Sequence, residues 1–389
     1  MSELHSVRKI LVIKLRHIGD VLLTVPTLRA LRETFPAADI SVLVNEGTEG
    51  VLDGNPLVDD ILTLDRGMKR LPPLTRYVRE MNSLGQIRKK RFDMTVDLTG
   101  GDRAAILSFT SGARYRMGWR DAGGFAGKRY LYTHLSVPGS ARHMVLQNLD
   151  VVRSFGIETK DLSVSIHISE AARLFAKESL RKHTVTGNSA IVHVHPTSRW
   201  LFKCWRDEHM AEIIEWLASQ GATIIVTSSP DKRELEKTRR ILSLCGDKAR
   251  PSILDLCGKT TLEQLAALSE TSNLFFGVDS APMHIAAAAG TPVVSLFGPS
   301  GAFHWGPWDN AEGQGEVQSA QYLKRSGVQV SGPHTVIQRE WDCIPCGRDG
   351  CSGTKMSNCL EDIRVEEVKN IIAKKLEEVE KARDERVRM

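Results

Sequence analysis

The sequence predicts two doubly wound α/β domains joined by a short linker, with a helix at the C-terminal end. Three observations carry this. Val/Ile/Leu runs of strand length alternate with helical patterns, as they do when helices cover both faces of a parallel sheet. The alternation starts again after a polar stretch in the middle of the chain. A length of 389 residues suits two domains of about 150–200 residues each.

In the first half, strands are expected at Ile10–Leu15, Ile40–Val44, Ile61–Leu64, Met94–Leu98 and near Tyr115–Trp119. Helices are expected at Val21–Phe35, Leu74–Lys89, Arg103–Ser111 and about Met144–Phe155. Pro36 stops the first of these helices. In the second half, strands fall at Ile191–Val194, Thr223–Val226, Ile253–Leu254, Leu274–Phe276 and Val293–Phe297. The helices between them are Asp207–Ser219, Asp231–Leu244, Leu262–Glu270 and Met283–Ala289, with Gly221 where a C-cap belongs. His183–Ser189, which contains Gly187 and Asn188, reads as the linker. The predicted divisions are 1–183, 184–342, and 343–389 for a cysteine-bearing segment and tail. Val365, Val368, Ile372, Leu376 and Val379 give the tail helix Val365–Met389 one apolar face. Two such domains predict a cleft between the carboxyl ends of their strands.

Composition narrows the function classes. Hydrophobic residues are 41% and charged residues 25%, which excludes a disordered or fibrous chain. The net charge of +5 divides into +8 over 1–183 and −3 over 184–389, so the first half suits an anionic partner. Lys14 and Arg16 interrupt the apolar run Ile10–Ile13, so no secretory leader is read there. Ser280–Trp308 has no Asp, Glu, Lys or Arg, but Pro282, Pro292, Pro299 and Pro307 exclude a spanning helix. A cytoplasmic protein with seven cysteines held as thiols is expected. Residues 66–91 hold Arg66, Lys69, Arg70, Arg76, Arg79, Arg88, Lys89, Lys90 and Arg91 against Glu80 alone. This run is either a solvated face or a contact with an anionic surface. Nucleic acid is not expected, because aromatic residues are not interleaved with the basic ones.

Three strand-to-helix turns carry candidate chemistry. In Lys14-Leu-Arg-His-Ile-Gly-Asp20 the strand ends, Gly19 permits a tight turn, and Asp20 lands in the first helical turn. Asp20 there is either a helix cap or a general base kept ionised by the helix dipole. The Gly-x-Gly-x-x-Gly fingerprint and the P-loop are absent, which excludes dinucleotide oxidoreductases and P-loop kinases.

Gly277-Val-Asp279-Ser280-Ala281-Pro282-Met-His284 forms the second turn. Gly277, Ser280 and Ala281 allow close backbone approach, and Pro282 suits the first helical position. The following helix N-terminus is an anion site, while Asp279 suits sugar hydroxyls rather than phosphate. A capped, buried helix with His284 satisfied inside it is the other reading.

The third turn is His195-Pro-Thr197-Ser198-Arg-Trp-Leu-Phe-Lys203-Cys-Trp205. Thr197, Ser198 and Lys203 suit a diphosphate, with Lys203 in place of a metal. Lys203 read alone is also compatible with a solvated lysine.

Cys343-x2-Cys346-x4-Cys351-x7-Cys359 follows the second domain. Four thiols in 17 residues can wrap a structural zinc, stand as free thiols, or form oxidised pairs. The count alone also allows an iron–sulfur cluster.

Taken together, Lys14–Pro26, Pro196–Trp205, Leu256–Leu268 and Gly277–Pro299 resemble glycosyltransferase family 9, the ADP-heptose:lipopolysaccharide heptosyltransferases. Within it, the stretches around Pro196 and Asp279 look most similar to members that add a branch heptose to the inner core. The resemblance implies a GT-B fold and an inverting transfer that needs no metal or other cofactor. It implies Asp20 as catalytic base, Thr197, Ser198 and Lys203 on the diphosphate, and Asp231 on the ribose. It also implies Asp279, Ser280, Ala281 and Pro282 on the heptose and phosphates, with His284 behind them. ADP-heptose and the lipopolysaccharide inner core are the implied partners, and an anionic inner-membrane leaflet is a candidate contact for residues 66–91. Two departures accompany it: Ser228-Ser229-Pro230 before Asp231, and Trp200-Leu201-Phe202 before Lys203. Two other readings remain open: a GT-B transferase using another nucleotide sugar, and a non-catalytic nucleotide-binding or redox protein.

Overall fold

A computed structural model describes residues 4–65, 67, 72–120, 123–137, 139, 142–183, 189–311 and 321–388. The chain divides into two compact units, the first ending at His167 and the second beginning at Ile168.

In the first unit, β1 (Lys9–Lys14), β2 (Asp39–Asn45), β3 (Asp60–Leu64), β4 (Met94–Asp97), β5 (Tyr115–Trp119) and β6 (His134–Ser136) form one sheet in the order β3-β2-β1-β4-β5-β6. Every pairing in it is parallel. Helices therefore cover both faces, and Ile10, Leu11, Val12 and Ile13 are all fully buried. The expected helix Val21–Phe35 is two helices, Ile18–Leu22 and Val25–Thr34. Pro26 has no N–H to give the Leu22 carbonyl, so the ladder breaks at that point.

The second unit repeats the scheme with β7 (Ile191–His195), β8 (Thr223–Val226), β9 (Ile253–Asp255), β10 (Leu274–Val278), β11 (Val293–Leu296), β12 (Val328–Ser331) and β13 (His334–Ile337). Their order is β12-β13-β11-β10-β7-β8-β9, and only the edge pair β12–β13 is antiparallel. Apart from β12, the two sheets have the same strand order when each is numbered from its own first strand. Each reverses direction at one point, between β1 and β4 and between β7 and β10. Crevices at the carboxyl ends of strands at such points are where doubly wound sheets take ligands.

Several elements differ from expectation. The division falls at His167 rather than at 183. The helix Glu170–Lys182 belongs to the second unit, where Arg173 makes a two-pronged bond to Glu270 (2.8 and 3.0 Å) and Glu263 accepts from the Ser169 N–H at 2.7 Å. Of the expected linker, residues 184–188 lie outside the described residues. Residues 343–389 are not a third domain, because Leu360, Ile363, Val365, Val368 and Ile372 share one buried cluster with β7, β8 and β10. Each such side chain contributes about 1.5–3 kcal/mol on burial. The tail helix Val365–Arg388 is exposed and largely charged over 380–385, as its sequence pattern predicts.

Candidate active site

The first switch point carries Lys14, Asp20 and Asp97. The chain leaves β1 and turns at His17, whose extended backbone (φ −92°, ψ 171°) precedes the helix Ile18–Leu22. Gly19 is inside that helix and buried, so it does not make the turn, contrary to the sequence reading. It is absent from the residues with positive φ. Asp20 is half-buried in the helix's first turn, and its Oδ2 accepts the His17 N–H at 3.3 Å. The capping geometry and an aspartate at the strand's carboxyl end are therefore both present in one residue.

Lys14 was not singled out as a functional residue, yet it is 2% exposed. Its Nζ donates to the Leu98 carbonyl and to Oδ1 of Asn148, both at 2.9 Å. Burial pushes its ammonium down to about 8, with the Asp20 charge pulling the other way. Beside it, fully buried Asp97 accepts from the N–H groups of Thr99 (2.7 Å) and Gly100 (3.1 Å) and from the Tyr132 hydroxyl (2.5 Å). Burial raises its carboxyl, while those donors and Lys14 oppose the rise. The available signal was a charge ending each apolar strand, β1 at Lys14 and β4 at Asp97.

The second switch point gathers Lys203, Asp279 and Ser280. Lys203 ends the short 3-10 turn Leu201–Lys203, and its Nζ lies 2.7 Å from Oδ2 of Asp279. The departure at Trp200–Phe202 thus does not keep the lysine from Asp279, and Lys203 is not a freely solvated lysine. Ser300 donates its hydroxyl to the same Oδ2. Ser280 occupies the N-cap of the helix Ala281–Ala288, and its Oγ is buried without a hydrogen-bond partner among the described residues. Pro282 is in the second helical position rather than the first, and His284 is on the buried face. Gly277 has the close-approach role read from sequence: a Cβ there would lie 2.7 Å from the His195 carbonyl oxygen.

The neighbouring turn is built differently from expectation in part. Thr197 is fully buried and donates to Oε2 of Glu234 at 3.0 Å, so its hydroxyl is engaged inside the unit. Ser198 is 4% exposed; its N–H donates to Cys204 Sγ at 3.2 Å and its Oγ accepts from the Trp200 N–H at 3.3 Å. Asp231 is at the N-cap of the helix Lys232–Leu244, where Oδ1 accepts the Arg233 N–H at 3.0 Å. Under the turn, a buried polar chain runs Ser269–His193–Thr227–His195 with contacts of 2.9, 2.8 and 2.9 Å. Burial holds both imidazoles down at about 3, aided for His193 by His195, so both are neutral.

The cysteine segment braces this site. Ser357 donates to the Phe202 carbonyl at 2.6 Å, beside Lys203. The N–H groups of Cys346 and Gly347 donate to the Pro299 carbonyl at 3.0 and 2.9 Å, beside Ser300. Cys343, Cys346, Cys351 and Cys359 are free thiols, and burial, with the other three nearby, raises Cys359 to about 11. Among the described residues, no group of three or more His, Cys, Asp or Glu side chains is placed to hold a metal ion.

Two open sheets, parallel and of matching strand order but for the edge strand β12, each with charged side chains at its switch point, are the architecture of a GT-B glycosyltransferase. Comparison with known proteins agrees. The family described as "Glycosyltransferase family 9 (heptosyltransferase)" matches residues 82–329. The chain is 31% identical over 306 residues to a lipopolysaccharide heptosyltransferase 3 of Escherichia coli, covering 76% of this chain and 85% of that protein. The structure of Escherichia coli ADP-heptose lipopolysaccharide heptosyltransferase II superposes with a TM-score of 0.72 at 21% identity, covering 96% of this chain and 99% of that one. A family 9 glycosyltransferase from Veillonella parvula superposes at 0.71 with 23% identity, covering 95% and 97%. The chain belongs to glycosyltransferase family 9, the heptosyltransferases.

Proposed function

We propose that this protein moves L-glycero-D-manno-heptose from ADP-heptose to a hydroxyl of the lipopolysaccharide inner core, adding the branch heptose with inversion at the anomeric carbon. The ion pair of Lys203 with Asp279, next to the uncapped N-terminus of Ala281–Ala288, is the observation that carries this reading. The pair sits where a doubly wound sheet takes its ligand.

The roles follow from the chemistry. Asp20 takes the proton from the acceptor hydroxyl, whose oxygen attacks the anomeric carbon. The bond from that carbon to the diphosphate oxygen breaks, and ADP leaves with the electron pair. Lys203 and the Ala281 N–H that opens Ala281–Ala288 stabilise the charge that grows on it, so no metal or other cofactor takes part. Ser198 and Ser280 supply hydroxyl contacts to the diphosphate, with Ala281 and Pro282 shaping the turn and His284 backing it. Thr197 acts from behind the turn through Glu234. Asp279 accepts from hydroxyls of the heptose, and Asp231 from the ribose.

The enzyme works in the cytoplasm, against the anionic inner-membrane leaflet that displays its acceptor. Leu74, Tyr77, Val78 and Met81 lie at i, i+3, i+4 and i+7 of the helix Pro73–Lys89 and are all exposed, followed by Arg88–Arg91. Exposed apolar side chains next to cationic ones suit an anionic interface. Of the basic run, Arg66, Lys69 and Arg70 lie outside the described residues. Among the described residues, no helix is long and apolar enough to cross a membrane.

The test is transfer by the purified protein from ADP-heptose to lipopolysaccharide lacking the branch heptose. The expected outcome is ADP release matched by a gain of one heptose in the acceptor mass. Competition by ADP but not by UDP or GDP checks the donor. Turnover with another nucleotide sugar alone, or with none, overturns the proposal.

A further inference from the structure

We infer that Ser300 is a positioning residue of the donor site, fixing Asp279 so that one carboxylate oxygen is reserved for the transferred sugar. The inference rests on the donor site proposed above. Ser300 belongs to none of the three turns that the sequence pattern singles out.

The argument is a count of partners. Oδ2 of Asp279 accepts both from Nζ of Lys203, at 2.7 Å, and from Oγ of Ser300. No described residue donates to Oδ1, and Asp279 keeps 5% of its surface exposed. An ionised carboxylate has about four acceptor positions, two on each oxygen. Filling those of Oδ2 leaves Oδ1 as the acceptor for an incoming hydroxyl. A carboxylate held by Lys203 alone could rotate about its last bond and offer either oxygen to the ammonium. Ser300 supplies the second contact that stops this rotation.

Ser300 is itself held from both sides. Nε2 of Gln338 donates to the carbonyls of Gly298 (2.9 Å) and Ser300 (2.6 Å). The Pro299 carbonyl between them takes the N–H groups of Cys346 and Gly347. A Cβ on Gly298 would lie 2.8 Å from Leu360, and one on Gly301 would lie 2.6 Å from Phe303, so the turn is also sterically confined. A hydroxyl on so constrained a backbone is preorganised, and its hydrogen bond costs little ordering on binding.

The prediction is selective for the sugar. ADP has a diphosphate but no heptose, so its affinity depends on Lys203 and not on Oδ1. Binding of ADP and of ADP-heptose is measured calorimetrically, without acceptor, for the wild type, Ser300→Ala and Ser300→Thr. Ser300→Ala should bind ADP within about two-fold of wild type and lose about ten-fold in its preference for ADP-heptose, the worth of one charge-assisted hydrogen bond. Ser300→Thr keeps the hydroxyl and should restore the preference. Should the alanine variant not fold, Ser300→Cys, with its weak donor, replaces it. An unchanged preference in the variant that lacks the hydroxyl overturns the inference. Equal affinity of the wild type for the two ligands also overturns it, because Oδ1 then contacts no sugar. A wild type that binds neither ligand overturns the donor-site reading itself, and this inference with it.

Discussion

Lys203 and Asp279 hold each other at 2.7 Å, with side chains 21% and 6% exposed. The cation proposed above for the diphosphate is thus kept in place by an internal anion. Asp279 cannot be stripped of it without leaving a buried charge unpaired, which is far costlier than losing a surface ion pair. Function and stability are coupled through this pair.

That coupling separates two effects of removing the lysine. Lys203→Ala should weaken ADP-heptose binding by about ten-fold or more, as expected for a lost charge-assisted contact, and should also lower the thermal midpoint. Adding Asp279→Asn to Lys203→Ala should recover stability but not donor affinity. Titration with ADP-heptose and thermal melts of the three proteins decide this. Unchanged affinity in Lys203→Ala would leave the diphosphate to backbone N–H groups alone.

Asp20→Asn should preserve the fold and donor binding and slow transfer by about 10²–10⁴-fold, the usual contribution of a general base. The amide can still accept the His17 N–H that caps the helix Ile18–Leu22, so the substitution isolates basicity from capping. Single-turnover rates against donor affinity measure the split. Near wild-type turnover would remove Asp20 from the mechanism.

The three turns were legible because each combines an apolar strand, small residues and a helix start within a dozen positions. Strands β7 and β8 begin as predicted, and β8 also ends there. What was missed is short or partnered at long range. Strand β6 has three residues, too few to show a period. Strand β12 buries Gln329 and Ser331 and exposes Val328 and Val330, the reverse of the usual pattern, and β13 buries His334 and Thr335 beside Val336 and Ile337, so neither reads as an apolar run. Ser300 meets Asp279 across 21 positions and Lys14 meets Asn148 across 134, relations that no local pattern records. Thr197 looked like a phosphate contact because its hydroxyl is near a strand end. Its partner Glu234 lies 37 positions on, in the first turn of the helix Lys232–Leu244, and can be seen only in the folded chain.

Buried neutral histidines set the response to acid. His193, His195 and His334 are held at about 3, chiefly by burial, against an ordinary value of 6.5. Between pH 6.5 and 3 the unfolded chain binds protons at these sites and the folded chain does not. Stability contributed by the neutral rings is therefore full above pH 6.5 and declines as pH falls toward 3. Denaturant midpoints measured from pH 7.5 to 4.5 should hold down to about pH 6.5 and fall steadily below it. His193→Gln should lower the plateau and flatten the slope, since one titrating site is gone. A slope identical to wild type would show that His193 takes no part.

Membrane contact should depend on the exposed stripe of the helix Pro73–Lys89. Tyr77→Glu with Met81→Glu places two negative charges among side chains 61% and 47% exposed, where little folded structure is disturbed. The double variant should lose cosedimentation with vesicles containing anionic lipid while keeping transfer to a detergent-solubilised acceptor. Binding equal to wild type would assign the stripe to some other contact.

Transfer should survive excess EDTA. The proposed stabilisers of the leaving diphosphate, Lys203 and the Ala281 N–H at the start of Ala281–Ala288, belong to the chain and need no ion. The cysteine segment gives this prediction a second, slower arm. Its backbone and Ser357 brace both the Lys203 turn and the Ser300 turn. A metal drawn to Cys343, Cys346, Cys351 and Cys359 would act on the site through that bracing, and its removal would loosen the site at the rate of metal loss. The two arms differ in time course. Immediate loss of activity restored by Mg²⁺ would show a catalytic metal and overturn the mechanism. Slow loss restored only by zinc or iron would locate the effect in the cysteine segment and leave the transfer chemistry with Lys203.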